Sequence, residues 1–413
     1  MSQKTLNNLF KGDKVIWMVF FFLCMFSIVE VYSASSSLSY KGGAYWAPIT
    51  RHIFLLIAGL GAMIVTLNIK CKYFRLMMLP MFIFSVVTLL LVLHTGQATN
   101  GAQRWLTILG IKFQPSEIAK GTMVLVTAQI LSSLQTENGA DKRAFKYILY
   151  AGGAIIALIM MENLSTAALL CLTIFIMMII GRIPSKIIWR TVGVVVFTII
   201  LGLSSIMIIG EDKGDISSNK ELVEQDDTKR EDPGLLDKVF HRADTWKHRI
   251  DKFFKVANVP PEEVDLDKDA QVAHANIAIA SSNIIGKGPG NSVERDFLSQ
   301  AFSDFIYAII IEELGLEGAT CVAILYIILL FRTGKIASRC ENDFPAFLAM
   351  GLALLLVTQA LFNMLVAVGL APVTGQPLPL ISRGGTSTII NCVYIGAILS
   401  ISRSAKKRTV QAK

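Results

Sequence analysis

The sequence predicts an all-α polytopic membrane protein with about ten transmembrane helices and one large polar loop. Three observations predict it. The 413 residues are 53% hydrophobic and 17% charged, which is too apolar for an ordinary soluble domain of this length. The apolar residues form runs close to the roughly 20 residues that a helix needs to cross a bilayer. The basic residues alternate between rich and poor in successive short loops.

The apolar runs give ten predicted spans, numbered here in chain order. They cover residues 15–33, 51–69, 76–94, 115–134, 146–161, 164–181, 187–209, 305–331, 344–369 and 386–402. The fifth and sixth spans are separated only by Glu162 and Asn163, and we expect a hairpin because about 36 residues would far exceed one crossing. The first span resembles a signal peptide, but the later loops keep a consistent sidedness only if it is retained as a spanning helix.

Basic residues in the loops predict the orientation. One set of loops holds about four times as many as the other. The rich set contains Lys4, Lys11, Lys14, Lys70, Lys72, Arg75, Lys142, Arg143, Lys146, Arg182, Lys186, Arg190, Arg332, Lys335, Arg339, Arg403, Lys406, Lys407, Arg408 and Lys413. The poor set contains Lys41, Arg51, Arg104, Lys112 and Arg383. We therefore expect both termini in the cytoplasm and the long loop, residues 210–304, outside between spans seven and eight.

The long loop divides by composition. Residues Glu211–Asp232 are polar and acidic, which predicts a flexible segment. Residues Gln271–Ile285 are small and apolar, which predicts a short helix or re-entrant segment, and Gly286–Ser292 (GKGPGNS) predicts a glycine turn. We interpret residues 1–413 as a single membrane domain in which this loop carries the functional region.

Several function classes are excluded. The net charge of +8 comes from short clusters without a continuous basic face, so no nucleic-acid partner is expected. The six cysteines have no CxxC or metal-like spacing, and no metal site is predicted. The absence of Walker A, HExxH and GxSxG motifs argues against an ATP-driven transporter and against the soluble hydrolases.

The start of the fourth span carries an intramembrane charge pair. Glu117 and Lys120 are three residues apart and therefore lie on one helical face. Because an unpaired charge in the membrane is costly, the pair should face the bundle interior. A structural ion pair and a role at a polar cavity both remain open. Before this span, Arg104 with Trp105 could be an interfacial anchor or a functional cation.

Asp304 stands immediately before the eighth span, at the membrane surface. It or Ser303 could cap the helix. The functional alternative is an interfacial general base, since a carboxylate beside low-dielectric surroundings binds protons more readily. The proline- and glycine-rich segment Gly375–Ser387 is either a tight loop or fixed backbone lining a cavity. Arg383 in this segment could bind a phosphate through its guanidinium.

Five motifs in this order resemble the SEDS family of bacterial peptidoglycan polymerases, which includes FtsW and RodA. They are NGAQRW from Asn100, PSEIAK from Pro115, GKGPGNS from Gly286, SDFIYAIIIEELG from Ser303 and PLPLISRGGTS from Pro377. The resemblance spans nearly the whole chain, and residues 290–293 (GNSV) are more similar to the FtsW branch. The chain departs from the family pattern at Glu162–Thr166, Ser299, Gln300, Phe302 and Arg383.

The resemblance implies glycosyl transfer between two lipid II molecules outside the cytoplasmic membrane, for septal wall synthesis in cell division. Asp304 would deprotonate the acceptor's 4-hydroxyl, which attacks the donor's anomeric carbon with inversion and releases undecaprenyl pyrophosphate. Arg104, Arg51, Lys112 and Arg383 are the candidate pyrophosphate-binding cations. A divalent cation could share this task, although no ligand cluster predicts one and no other cofactor is expected. Asp296 would have a regulatory role in the loop.

The resemblance also implies partners and a location. A class B penicillin-binding protein, which is a transpeptidase, and other divisome membrane proteins would assemble with the chain at the septum in the inner membrane. Three alternatives remain: a lipid II flippase or other transporter that uses Glu117 and Lys120, a RodA-like polymerase for elongation, and a scaffold that only positions a partner enzyme.

Overall fold

The computed structural model describes residues 11–34, 47–95, 97–99, 102–108, 111–194, 270–298 and 301–405. Ten α-helices and five short strands are defined in these residues, and residues 185–194 are also helical. The helices are α1 Lys14–Ala34, α2 Ala47–Asn68, α3 Cys71–Thr95, α4 Pro115–Ser133, α5 Lys142–Glu162, α6 Leu164–Ile180, α7 Ala270–Ala280, α8 Ile306–Ala337, α9 Asp343–Ala367 and α10 Thr386–Ser404. The strands are β1 Gln97–Thr99, β2 Ala102–Ile108, β3 Ile111–Phe113, β4 Gln135–Thr136 and β5 Gly139–Ala140.

Six of the described helices are long and apolar enough to cross a membrane, namely α1, α2, α3, α5, α8 and α9. Helix α6 is a shorter apolar helix, and α4 and α10 coincide with the fourth and tenth predicted spans. The prediction of an all-α, multi-pass membrane protein is confirmed. Of the seventh predicted span, only residues up to 194 are described, and the rest lies outside the described residues together with Glu211–Asp232.

Helices α4 and α9 form the centre of the bundle. The apolar window of α9 is 67% buried, whereas those of the other candidate spans are 22–44% buried. Helix α4 packs against α3, α5, α6 and α9, while α9 also packs against α8 and α10. Helix α10 packs on α2, and α1 packs on α8. Polar side chains on α4 and α9 therefore meet protein rather than lipid, which is the condition for keeping them at membrane depth.

A small antiparallel sheet, which the sequence did not predict, connects α3 to α4. Strand β2 pairs with both β1 and β3. Its register with β3 places Leu106 opposite Phe113 and Thr107 opposite Lys112. Arg104 and Lys112 consequently lie on adjacent strands of one sheet. Strands β4 and β5 form a second, two-stranded hairpin between α4 and α5. Both sheets belong to connections and leave the bundle helical.

Helix α8 is interrupted in its N-terminal third. Its 32 residues would extend about 48 Å at 1.5 Å per residue, which exceeds the roughly 30 Å hydrocarbon core. The interruption is at Gly315, whose φ of 67° and ψ of −169° are not helical. Residues 306–314 therefore form a separate N-terminal half-helix that directly follows the Asp304 turn.

The part of the long loop that is described has the predicted helix and glycine turn. Helix α7 covers Ala270–Ala280, and Gly286, Gly288 and Gly290 all have positive φ. The chain as a whole divides into two compact units, Met1–Pro184 with Glu263–Lys413, and Ser185–Glu262. Of the second unit, only the helical residues 185–194 are described. All the described site residues belong to the first unit.

Candidate functional site

Asp304 lies in the turn that precedes α8. Residues 301–304 form the turn, the helix begins at Ile306, and its cap position, Phe305, has no side-chain cap. The cap position of α8 is therefore Phe305, and not Asp304 or Ser303, the two residues considered for that position. The hydroxyl of Ser303 instead donates to Oδ1 of Asp304 at 3.0 Å. The carboxylate is thus oriented by a neighbouring donor at the N-terminal end of α8.

The α9–α10 loop, residues 368–385, packs against this turn. Three consecutive carbonyl oxygens of the turn each accept a hydrogen bond. Phe302 O accepts from Arg383 N at 3.0 Å, Ser303 O from Ser382 Oγ at 2.6 Å, and Asp304 O from Asn363 Nδ2 at 2.8 Å. Asn363 belongs to the last turns of α9, and the other two donors belong to the loop itself.

Gly375 marks the point where Asp304 and Arg104 come together. A Cβ atom placed on Gly375 would lie 3.6 Å from Oδ2 of Asp304 and 4.0 Å from Nη1 of Arg104. Gly375 has a φ of +66°, a conformation that L side chains rarely adopt. The α9–α10 loop can therefore lie close to both the carboxylate and the guanidinium, because it has no side chain at this position. The structure brings together the predicted base and the first of the predicted cations.

Arg383 and Arg51 form a second cationic group. The guanidinium carbon of Arg383 lies 5.4 Å from the ring centroid of Phe302, the residue two before Asp304. Burial, and after it the neighbouring charge of Arg51, lower the pKa of Arg383 from its ordinary value. A guanidinium remains charged in proteins, so the two positive charges repel each other. A bound anion would relieve this repulsion.

Lys112 lies in the sheet that carries Arg104. Its Nζ is 5.4 Å from the ring centroid of Trp105, a cation–π contact, and its side chain is exposed.

Asp296 ends a short 3₁₀ helix, Glu294–Asp296, and its Oδ1 lies 3.7 Å from Nε of Arg295. The side chain of Asp296 is 53% exposed, so it lies on the surface of the segment that leads to the Asp304 turn.

The Glu117–Lys120 pair is buried under the α9–α10 loop. Lys120 Nζ lies 2.8 Å from Glu117 Oε1, and neither side chain is more than 3% exposed. Lys120 also donates to Oε1 of Gln359 at 2.7 Å, and Gln359 Nε2 donates to Pro377 O at 3.0 Å. Tyr394 donates to the carbonyl of Glu117 at 2.6 Å. The charges face the bundle interior and connect α4, through α9, to the loop beside Asp304.

Two carboxylates without a predicted role, Glu312 and Glu313, are fully buried in the N-terminal segment of α8. Glu312 Oε1 accepts from Lys287 Nζ at 2.7 Å. Glu313 accepts from the backbone N–H groups of Gly290, at 2.9 Å, and Ser292, at 3.2 Å. Both carboxylates therefore bind the Gly286–Ser292 turn. Two adjacent acids in an apolar helix were the available signal, since charges at membrane depth require partners.

The Gly286–Ser292 turn also binds the interruption in α8. The N–H groups of Lys287 and Gly288 donate to the carbonyls of Glu312 and Glu313 at 3.0 and 2.8 Å. The interruption at Gly315 frees those carbonyls from the helical ladder. A Cβ on Gly286 would lie 2.3 Å from Gly315 N, so the two backbones are in direct contact.

In the described residues, no three His, Cys, Asp or Glu side chains lie close enough together to hold a metal ion.

Comparison with curated proteins finds relatives of nearly equal length. One, named probable peptidoglycan glycosyltransferase FtsW from Geobacter metallireducens, is 29% identical over 409 residues, which are 97% of each chain. A protein of the same name from Geobacter sp. strain M18 is 28% identical over 94% of this chain and 96% of its own. That of Enterococcus hirae is 25% identical over 98% and 96%.

Two solved structures share the fold. A chain of a peptidoglycan synthase complex that coordinates polymerization and crosslinking matches with a TM-score of 0.69 at 20% identity, covering 95% of this chain and 98% of its own. The rod shape determining protein RodA of Thermus thermophilus matches with a TM-score of 0.64 at 20% identity, covering 97% and 99%. The FtsW/RodA/SpoVE family model, described as a cell cycle protein, matches residues 13–407. Because that match covers almost the whole sequence, the chain belongs to the FtsW/RodA/SpoVE family of cell cycle proteins.

Proposed function

We propose that this protein is a peptidoglycan glycosyltransferase that polymerises lipid II on the outer side of the inner membrane, with Asp304 as its general base. The observation that carries the proposal is the meeting of the Asp304 carboxylate and the Arg104 guanidinium at Gly375. The names of the relatives support the activity. The turn that precedes α8 supports the role of Asp304, since Ser303 donates to its carboxylate there.

The reaction needs one base and one group that accepts negative charge. Asp304 would take the proton of the acceptor sugar's 4-hydroxyl as that oxygen attacks the donor's anomeric carbon. The bond from that carbon to the pyrophosphate oxygen breaks in the same displacement, and undecaprenyl pyrophosphate leaves with the bonding electrons. A single displacement inverts the anomeric centre, so no covalent sugar intermediate is required.

Arg104 is the first candidate for stabilising the leaving group. A guanidinium binds phosphate oxygens bidentately and acts strongly in a partly buried, water-poor site. Arg383 and Arg51 would bind a second anionic group. Lys112, which lies in the same sheet as Arg104, would add positive charge near the leaving pyrophosphate. Proton transfer and displacement need no cofactor. A divalent cation carried by the pyrophosphate itself would supply further charge neutralisation.

The names of the relatives and of the similar structures support a location and partners. The FtsW name supports a septal role in cell division rather than elongation. The similar chain from a complex that coordinates polymerization and crosslinking supports a class B penicillin-binding protein as a transpeptidase partner. Other divisome membrane proteins would assemble with the pair.

Replacement of the base tests the proposal. Purified Asp304→Asn, with its transpeptidase partner, should insert normally and polymerise lipid II about 10²–10⁴-fold more slowly than the natural protein, the usual contribution of a general base. Asp343→Asn, an exposed carboxylate at the start of α9, is the matched control and should polymerise normally. Near-normal polymerisation by Asp304→Asn would show that the assignment is wrong. A natural protein that only moves labelled lipid II across vesicles would support the transporter alternative.

A further inference from the structure

The turn that carries Asp304 is held through its backbone by residues far away in the sequence. As described above, the carbonyls of Phe302, Ser303 and Asp304 accept in succession from Arg383 N, Ser382 Oγ and Asn363 Nδ2. Two of these donors are side chains, and both are buried, Ser382 at 2% and Asn363 at 1% exposed. Each side-chain bond can be removed by mutation without touching the carboxylate.

Asn363 fixes both sides of the site at once. Its single amide nitrogen donates to Asp304 O at 2.8 Å and to Gln376 O at 2.8 Å. Gln376 follows Gly375, the residue whose Cβ position is close to both the Asp304 carboxylate and the Arg104 guanidinium. The same amide therefore holds the backbone of the base and the backbone of the loop that lies close to the base and its cation.

Ser382 links the turn to the other end of the same loop. Its hydroxyl donates to Ser303 O at 2.6 Å and accepts from Leu378 N at 2.8 Å. Ser303 in turn donates to the Asp304 carboxylate. The hydroxyl thus orients the residue that orients the base, and it also closes the loop around Leu378.

We propose that Asn363 and Ser382 are positioning residues for the polymerisation reaction, which hold Asp304 at a fixed place relative to Arg104 through the backbone of residues 303 and 304. This inference rests on the proposed function. Neither residue acts on substrate. Because catalysis depends on the base being within hydrogen-bond reach of the acceptor hydroxyl, a displacement of the turn by about 1 Å is expected to lower the rate by about 100-fold.

The hydroxyl of Ser382 allows a sharp test. Ser382→Ala removes both hydrogen bonds of the hydroxyl, the one to Ser303 O and the one from Leu378 N. This variant should lower kcat for lipid II by about 10- to 100-fold, with KM within a factor of about two. Ser382→Thr retains the hydroxyl and should restore kcat to within about threefold of the natural protein. Ser400→Ala is the matched control, because it removes another buried hydroxyl of the same region of chain, one that donates to Ile69 O at the other end of α10. It should polymerise normally.

Asn363→Ala provides an independent variant in case threonine does not fit at position 382. It should lower kcat by about the same factor, again with KM nearly unchanged. Both variants should keep the melting temperature of the Ser400→Ala control. Normal kcat in both Ser382→Ala and Asn363→Ala would overturn the inference. So would an equal loss in Ser382→Ala, Ser382→Thr and Ser400→Ala, because that pattern indicates general destabilisation.

The same experiment separates this inference from the proposed function. If Asp304→Asn is inactive while Ser382→Ala and Asn363→Ala remain active, only the positioning roles are wrong. If Asp304→Asn retains activity, the base is wrong and the positioning of that carboxylate has no catalytic meaning. A loss of kcat in Asp304→Asn, Ser382→Ala and Asn363→Ala, with rescue by Ser382→Thr, supports both.

Discussion

Lys120 is among the largest fully buried side chains of the described residues, and its ammonium group has two partners, Glu117 and Gln359. A buried ion pair gains little net stability, because desolvation offsets the attraction, but removal of one partner leaves an uncompensated charge. The structural and cavity interpretations of this pair therefore differ in what a mutation changes. The first predicts a loss of stability, and the second predicts a loss of activity in a folded protein.

Lys120→Met should lower the free energy of unfolding by about 3–5 kcal/mol, since Glu117 then remains buried without its cation. The double variant Glu117→Gln with Lys120→Met should recover most of that loss. Thermal unfolding of the detergent-solubilised protein measures both. An unchanged melting temperature with reduced polymerisation in Lys120→Met would favour the cavity interpretation.

Arg104 and Lys112 give a second comparison at the scale of single residues. Both are cations of the β2–β3 hairpin, but Arg104 lies beside the Gly375 position that Asp304 also contacts, whereas Lys112 is exposed and packs on Trp105. Arg104→Gln should lower kcat by about 100-fold. Lys112→Gln should lower kcat by less than about tenfold. This loss should become smaller as the salt concentration rises, because the exposed charge of Lys112 is screened. Equal effects of the two variants in a lipid II polymerisation assay would contradict this ranking.

At the scale of elements, apolar length predicted the bundle well. The first span, predicted at 15–33, is α1 at Lys14–Ala34, and the tenth, predicted at 386–402, is α10 at Thr386–Ser404. Span length is a local property, so it can be read from one segment at a time. The β1–β3 sheet was missed because its strands are only three to seven residues long and carry no clear alternation.

The site was predictable only in part, because its contacts connect distant segments. Asp304 followed from its place before an apolar helix and from the family resemblance. Other features of the site are contacts between residues of different elements. They are the proximity of Asp304 to Arg104, the hydrogen bond from Asn363 to Asp304 O, and the hydrogen bonds of Glu313. Ser33, for example, donates to Glu313 from the other end of the chain. No local pattern contains such pairings, and tertiary packing decides them.

The interrupted helix α8 makes an element-scale prediction. A Cβ on Gly315 would lie 2.1 Å from Ile284 O, so Gly315→Ala must displace the Gly286–Ser292 turn from the half-helix. We expect loss of folded, monodisperse protein in size-exclusion chromatography. Gly334→Ala, in the same helix, has open space around the new methyl group and is the matched control. Normal yield of Gly315→Ala would mean that the interruption tolerates a side chain.

At the scale of the whole molecule, the outer surface of the bundle is apolar. Large hydrophobic residues are exposed on the predicted spans, among them Phe54 at 70% and Leu76 at 73%. Patches of this kind on a soluble protein would cause association, whereas in a bilayer they face lipid chains. The polar groups of the site are instead collected between the helices, at the end of the bundle where the Asp304 turn and the β1–β3 sheet carry their charges.

Labelling with a membrane-impermeant maleimide in intact cells tests the predicted sidedness. Lys112→Cys should react, because the hairpin before α4 is predicted outside, and Glu341→Cys should not, because the α8–α9 connection is predicted inside. Both positions are exposed. Burial raises the pKa of the native Cys340 thiol to about 11, so this neighbour contributes little thiolate near pH 7. Labelling of Glu341→Cys but not Lys112→Cys would reverse the orientation.

The contact between Gly286 and Gly315 has a consequence for how such a chain can diverge. Each glycine excludes a side chain at the other's backbone, so the two positions form a single steric unit although one lies in a loop and the other in a helix. A side chain introduced at either position alone would clash with the backbone at the other position and destabilise the fold. We therefore expect these two sites to vary together through evolution, and a homologue that has lost one glycine to have an uninterrupted helix or a differently anchored loop.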